Sequence, residues 1–471
     1  MTSLIAMHDA FYISTSSKSG FAYDPKFDFL SGERLKDYGR VYRMKQPGHL
    51  SVPTSWKSGS QKFVFELDDA GMRIFRDGEL LAEQALDTKN LLAGKPTRIV
   101  WGRGVYGDLQ GDLLKHQSNL DRPVVGAYLN FGRLFSGLNT TVEKEAAIEN
   151  ALDQFRATGF NTVYPYVTTT SGKAYYPSDL IKENLSPDFD CVAHLIKEAQ
   201  IRDLAVYPVF CVLSCGHDHP AGILETHPEW ALRTPDGEPM GHICPANADA
   251  RDFVADSIGE FVDRYPTEGI LLDYLRYYNR PTLLDPASEK MFEAWKQTQS
   301  TDDESELLQQ FKEEGITKLA RQISETVRRG HPERKIAIYS WGPHVADHHQ
   351  VAQPWPEWSN GGYVDMVNIS GYCYPDNYGD KYLDVFRQRV ATAVKLNEAH
   401  RGRADVTFCL GVKTSHGEIG AASWIQNYLT LAGKEGVEGT LFFTWHTLEP
   451  FLDEVDRAGY IAAFKEQISR D

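Results

Sequence analysis

Two different rhythms of apolar and polar residues divide the chain near residue 120. Before that point the runs are short and alternate at every second position. KFVFEL (62–67) is followed by DDAG, then by MRIFR (72–76), then by Asp77-Gly78 and ELLAE. A strand turns successive side chains to opposite faces, and Asp-Gly supplies the positive φ of a tight turn, so this alternation predicts β-hairpins. No long helical pattern interrupts residues 1–120, which read as a smaller β-rich accessory domain.

From Arg122 onward short apolar runs alternate with amphipathic helical stretches. The predicted strands are VVGAYLNF (124–131), NTVYPYV (161–167), LAVYPVFCV (204–212) and GILLDYL (269–275). They continue with KIAIYSW (335–341), VDMVNISGYCY (364–374), VTFCLGV (406–412) and GTLFFTW (439–445). Between them lie helical patterns such as VEKEAAIENALDQFRATG and ARDFVADSIGEFVDRY. Strand and helix in strict alternation are the mark of a parallel α/β fold. A doubly wound sheet would carry a glycine-rich phosphate loop after a strand, and none of these runs has one. The pattern therefore predicts a (β/α)8 barrel over residues 121–471, attached to the β-rich domain at 1–120.

Composition narrows the partners. A net charge of −16 and a pI near 5.4 exclude nucleic acid and anionic membrane as natural partners. The opening MTSLIAMHDAFYIS has no basic segment followed by an apolar core, and no run of apolar residues is long enough to span a bilayer. The cysteines Cys191, Cys211, Cys215, Cys244, Cys373 and Cys409 fall largely inside apolar runs, as buried thiols do. A cytoplasmic location is favoured; a secreted or periplasmic chain whose signal had been removed would look the same. No organic cofactor is implied, and oligomeric state is left open.

Barrel active sites are built where strands leave the packed interior at their C-terminal ends. The stretch GILLDYLRYYNRP (269–281) shows such an exit: an apolar strand stops at Asp273, and Tyr274, Arg276, Tyr277 and Tyr278 follow. Other strand ends bring Tyr164, Tyr166, His217, His219, Trp341, His344, Tyr372 and Trp445. Aromatic faces stack on sugar rings while carboxylates and histidines bind hydroxyls, so the lining predicts a carbohydrate ligand. Lys413 at the seventh strand end is a candidate partner for a carboxylate. Glycoside hydrolysis needs two carboxyl groups across the scissile bond. Asp273 is the first; Asp376, Glu418 and Glu449, each a few residues beyond its strand, are the candidates for the second, in that order. A non-catalytic carbohydrate-binding barrel is the first alternative. A second is a metal-dependent hydrolase using CVLSCGHDHP, where Cys211, Cys215, His217, Asp218 and His219 crowd together, although their spacing lacks the regularity of a zinc site.

The run HPEWALRTPDGEP, followed by CPANADARDFVADSIGEFVDRYPTEGILLDYLRY, resembles the family-ten-like glycosyl hydrolases, a group of barrel proteins. VDMVNISGYCYPD and EGTLFFTW are similar to that group's later strands. The resemblance covers roughly 122–465, is strongest at 227–278 and does not extend into 1–120. It implies sugar hydrolysis with Asp273 as the carboxylate of the fourth strand and Tyr274, Arg276 and Tyr277 around it. The arginine that amylase-like barrels carry two residues before this aspartate is replaced here by Leu271, and the DxxDxDxE strand of chitinase-like barrels is absent. The second acid, the bond cleaved and the stereochemistry stay open.

Overall fold

The chain separates into two compact units, Met1–Gln117 and Ser118–Asp471. The computed structural model describes residues 123–300 and 303–469, and before them chiefly the backbone of eight short strands. In the first unit Phe63–Asp68, Gly71–Arg76 and Glu79–Gln84 form an antiparallel meander. Its register pairs Asp68 with Gly71 and Arg76 with Glu79, where the period-two pattern predicts hairpins. A separate five-stranded sheet is built around the antiparallel strands Thr2–Met7, Ala10–Thr15 and Ser19–Tyr23.

The second unit is an α/β fold organised on one curled parallel sheet. Its strands are β1 (Val124–Leu129), β2 (Thr162–Pro165), β3 (Ala205–Val206 with Val209–Cys211), β4 (Gly269–Asp273) and β5 (Lys335–Ser340). They continue with β6 (Met366–Ser370), β7 (Asp405–Gly411) and β8 (Gly439–Phe443). Each of the predicted runs overlaps one of them, β7 beginning one residue earlier at Asp405. The sheet has nine segments because β3 is split at Tyr207-Pro208, where proline offers no ladder donor. Its first half pairs with β2 (Thr162 with Ala205) and its second with β4 (Val209 with Leu271). β8 pairs in turn with β1, Gly439 opposite Val124. The ladder thus runs from strand to neighbouring strand around a barrel architecture.

Helices cover the outside. α1 (Thr141–Ala157) opens on a reciprocal cap: Glu143 N–H donates to Thr140 Oγ1 at 3.2 Å, and Thr140 N–H donates to Glu143 Oε2 at 2.9 Å. Its buried face is Ile148, Ala151, Leu152 and Phe155, the spacing of one helical stripe. α2 (Cys191–Ile201) follows β2, and α3 (Ala248–Arg264), capped by Asn247, precedes β4. α4 (Glu304–Gly330) has Glu304 and Glu306 in its first turn and Arg328 and Arg329 in its last, charges that complement the helix dipole.

Because helices pack on one face and facing strands on the other, the strands are buried on both sides, which explains their nearly continuous apolar runs. Val125, Ala127, Ile270, Leu272, Ile336 and Ile338 meet the helices. The alternate residues Val124, Tyr128, Tyr164, Tyr207, Leu271 and Ala337 fill the inside. Gly126 lies on that inner face, where a Cβ would press on the Thr162 carbonyl oxygen and come within 2.8 Å of Tyr164 Cε2. Gly126→Ala is expected to lower stability by about 1–3 kcal/mol, as overpacking of a close-packed interior does. A shift of the urea midpoint at unchanged slope measures it; an unchanged midpoint would show that β1 and β2 can move apart freely.

Candidate active site

Period two along β4 sends Gly269, Leu271 and Asp273 inward, and Asp273 is the last of them. The next residue, Tyr274, takes φ of 56°, a left-handed conformation that costs a non-glycine residue energy and is held only where its surroundings enforce it. That turn aims the Tyr274 N–H at its neighbour's side chain, donating to Asp273 Oδ1 at 2.8 Å. Tyr166, one residue beyond β2, donates its hydroxyl to Asp273 Oδ2 at 3.0 Å. Asp273 is only 8% exposed. Burial raises its pKa above the ordinary carboxylate value, against the opposing pull of the Tyr274 N–H, the Arg276 charge and the Tyr166 hydroxyl. Desolvation wins.

Aromatic rings surround this carboxyl. Tyr166 stacks on Tyr128 with centroids 5.3 Å apart, and Phe443 meets Tyr128 edge-on at 5.4 Å. Tyr372 packs against both Tyr339 and Phe443 at 6.1 Å. Tyr128 is 1% exposed, and its hydroxyl has no hydrogen-bond partner among the described residues. Arg276 lies over the Trp341 ring at 4.3 Å and 5.2 Å from the Tyr274 ring centroid, while its Nη1 donates to the Tyr277 carbonyl at 3.3 Å.

The turn that carries Arg276 is held from outside the strand. His242, 1% exposed on the Pro239–Ile243 strand, places Nε2 2.9 Å from the Arg276 carbonyl oxygen. Burial, with Arg276 and His217 adding positive charge nearby, pushes the His242 pKa down to about 3. The imidazole is therefore neutral, and because a carbonyl only accepts, Nε2 carries the proton and donates it.

Not every predicted residue reaches this site. Tyr164 faces inward but lies a layer deeper, fully buried between Tyr128 and Tyr207, with its hydroxyl 4.0 Å from Met366 Sδ. Tyr277 is buried on the outer side beneath Lys312, 5.4 Å from its ring, because the left-handed Tyr274 breaks the strand alternation. Trp445 would face inward if β8 continued, but the chain turns there into the helix Trp445–Leu448. Its indole stacks on Phe155 of α1 at 4.2 Å instead. These three belong to the core and do not line a sugar site.

The remaining candidates stand at the rim. His217 and His219 are exposed after β3; His344 is exposed, with His349 5.6 Å from it. Lys413 and Glu418 pair at 2.6 Å across a short hairpin, both more than half exposed. Asp376 is exposed in the helix Pro375–Tyr378, and Glu449 is exposed beyond β8. The charge acting on Asp273 is that of Arg276; no carboxylate is among its influences.

The clustered cysteines and histidines of CVLSCGHDHP do not converge on a metal site. Cys211 and Cys215 are buried free thiols, whereas His217, Asp218 and His219 point to solvent and Asp218 pairs with Arg280 at 3.5 Å. Among the described residues the only three-ligand group is Glu149, His194 and Glu198, where Glu198 also holds Arg202 at 2.7 Å. Sequence reasoning passed over Tyr128, Tyr339 and His242. The first two were findable by stepping in twos along their strands; His242 carries no such signal, because only the folded Pro239–Ile243 strand brings it beneath Arg276.

The comparisons with known proteins agree with this architecture. The structure is similar to the PgaB (BpsB) glycoside hydrolase domain from Bordetella bronchiseptica, with a TM-score of 0.55 and 13% identity over 71% of this chain and 98% of that one. It is similar to α-L-fucosidase isoenzyme 2 from Paenibacillus thiaminolyticus, with a TM-score of 0.52 and 14% identity over 72% of this chain and 49% of that one. The cold-adapted β-galactosidase from Rahnella sp. R3 also matches, with a TM-score of 0.52 and 11% identity over 74% of this chain and 57% of that one. At such identities the likeness is one of fold. No curated protein sequence matches the chain. The model of the family described as glycosyl hydrolase-like 10 matches residues 130–400, more than half of the sequence, and the chain belongs to that family.

Proposed function

We propose that this chain is a glycoside hydrolase with a complete (β/α)8 barrel, cleaving an oligo- or polysaccharide with Asp273 as general acid and Asp376 as base. The environment of Asp273 carries the reading: a carboxyl at the mouth of a curled parallel sheet, its pKa raised by burial, bonded by Tyr166 and walled by aromatic rings. A carboxyl whose ionised form is disfavoured by burial can deliver its proton to the glycosidic oxygen as the bond to the anomeric carbon breaks, and the leaving alcohol carries it away. The base removes a proton from the water whose oxygen bonds to that carbon. Asp376 suits this role as an exposed carboxylate following β6, whereas Glu418 is already tied to Lys413. Tyr166, Tyr339 and Tyr372, each partly exposed, offer ring faces to sugar C–H surfaces, with buried Tyr128 packed behind Tyr166.

A second reading, a sugar-binding barrel without hydrolysis, is favoured by the lack of any carboxylate influence on Asp273. The two readings part on one variant. Under hydrolysis, Asp273→Asn lowers the rate on a cleaved glycan by about a hundredfold or more, the usual yield of a positioned acid. If the wild type cleaves nothing in a broad glycan panel yet binds a glycan, the binding reading replaces it.

The same variant has a consequence for stability. Burial holds the folded-state pKa of Asp273 above its open-chain value of 3.8, so the native state binds this proton more tightly than the unfolded chain does. Its contribution is complete below that value and is lost as pH rises through the folded-state pKa. Asp273→Asn, which cannot ionise, is expected to melt at least as high as wild type at neutral pH and to show a smaller loss from acid to neutral pH. A variant that melts clearly lower at neutral pH would make the carboxylate a structural anion instead.

Tyr166→Phe removes a hydrogen bond that favours the ionised form, so the alkaline limb of the pH–rate profile should move to higher pH as the rate falls. A limb that stays in place would separate Asp273 from the acid role. Steady-state rates of Asp376→Asn and Glu418→Gln compare the two rim carboxylates. The first should be strongly impaired and the second near wild type; the reverse order would transfer the base to Glu418.

A further inference from the structure

We infer that Arg276 is a receptor for a carboxylate, so that the glycan taken by this site carries an acidic sugar at the position next to Asp273. The inference rests on the hydrolytic reading above for its sugar, and on Arg276 itself for its charge. The guanidinium lies over the Trp341 ring at 4.3 Å, with the Tyr274 ring 5.2 Å away, at the mouth of the barrel. Those contacts hold a flat group against flat surfaces and leave its N–H edge to hydrogen-bond in its own plane. One donor is used, Nη1 to the Tyr277 carbonyl at 3.3 Å. Among the described residues no carboxylate lies within ion-pair distance of it, as one does for Arg202, Arg280, Arg328 and Lys413.

A partly buried cation whose acidic neighbour, Asp273, stays beyond ion-pair distance is under-compensated, and burial lowers the pKa of Arg276 despite the pull of Asp273. An incoming carboxylate relieves that cost, and its planar pair of oxygens matches the guanidinium fork in a way that a hydroxyl or carbonyl does not. Asp273 opposes such a ligand less than an exposed carboxylate would, because burial disfavours its ionised form. The overall charge of −16 disfavours a polyanion at long range. Screening limits that repulsion to roughly 8–10 Å in physiological salt, so a single carboxylate taken up by one guanidinium is little affected. The turn that carries Arg276 is also built to stay in place, clamped through its carbonyl by neutral His242. This rigidity suits a receptor whose ordering cost is met before the ligand arrives.

The experiment uses the full chain, with sodium D-glucuronate, D-glucose and D-glucose 6-phosphate as probes in ligand-observed NMR titrations at low salt. Glucuronate should bind at least about tenfold more tightly than glucose, the scale of one charge-assisted hydrogen bond. Arg276→Gln should abolish that preference and Arg276→Lys keep part of it. Added salt should weaken glucuronate and leave glucose unaffected, a readout that needs no variant to fold. Equal binding of glucuronate and glucose, binding of neither, a preference surviving Arg276→Gln, or tighter binding of the phosphate would each overturn the carboxylate assignment. Hydrolysis of neutral and uronate-containing oligosaccharides is followed in parallel. Cleavage restricted to neutral glycans refutes this inference and leaves the hydrolase standing. An Arg276-dependent preference for glucuronate with no glycan cleaved leaves the receptor standing and removes the hydrolase.

Discussion

Asp273 sits on the inner face of a parallel strand, one residue before the chain turns out of the barrel, and its burial sets the conditions for everything around it. A carboxyl in that place loses much of its hydration, and its ionised form is disfavoured. The structure compensates with the donors it can bring close: the Tyr166 hydroxyl, the Tyr274 N–H and the charge of Arg276. Each of these depends on a further constraint. Tyr166 is reached because β2 runs one residue past its ladder, Tyr274 because it accepts a left-handed φ, and Arg276 because its carbonyl is clamped by His242.

The aromatic content of the chain divides between two jobs. Phe155 stacks on Trp445 and Phe160 meets both edge-on, an aromatic seam between the sheet and its helices that contributes to stability by burying area. Tyr128, Tyr166, Tyr339 and Tyr372 stand on the inside, where their rings pack and the Tyr166 hydroxyl reaches Asp273. Phenols suit that boundary, since one side chain can satisfy an apolar neighbour and a polar ligand at once. Burial of these hydroxyls raises their pKa well above the ordinary value, which keeps them as neutral donors around a single carboxyl.

The split in β3 links fold to site. Tyr207-Pro208 interrupts the ladder, so the strand bonds to β2 with its first half and to β4 with its second. The second half then carries Cys211 opposite Asp273 in register. Cys211 therefore serves the wall around the carboxyl, and the histidines after it are left on an exposed loop where they cannot join it in holding a metal.

Much of this was legible from residue order. The eight strand runs, the α/β alternation, the hairpins near Asp-Gly and the place of Asp273 at a strand end follow from local rules, because side-chain period and turn chemistry act over a few residues. Where local rules stop, so did the reading. Strand-end position places Trp445 and Tyr277 in the cleft, and the family resemblance also places Tyr277 there, but a helix begins at one and a left-handed residue lies three residues before the other, and both side chains turn into the core. Tyr164 faces the right way at the wrong depth, a difference set by the stagger of neighbouring strands. The sequence by itself determined the period, the sites of exit from the barrel and the place of Asp273 at the end of β4. Only the tertiary structure decided which side chains meet there, since convergence depends on sheet curvature, on one turn's φ and on a histidine from a distant hairpin, and none of these is encoded within the span of a strand.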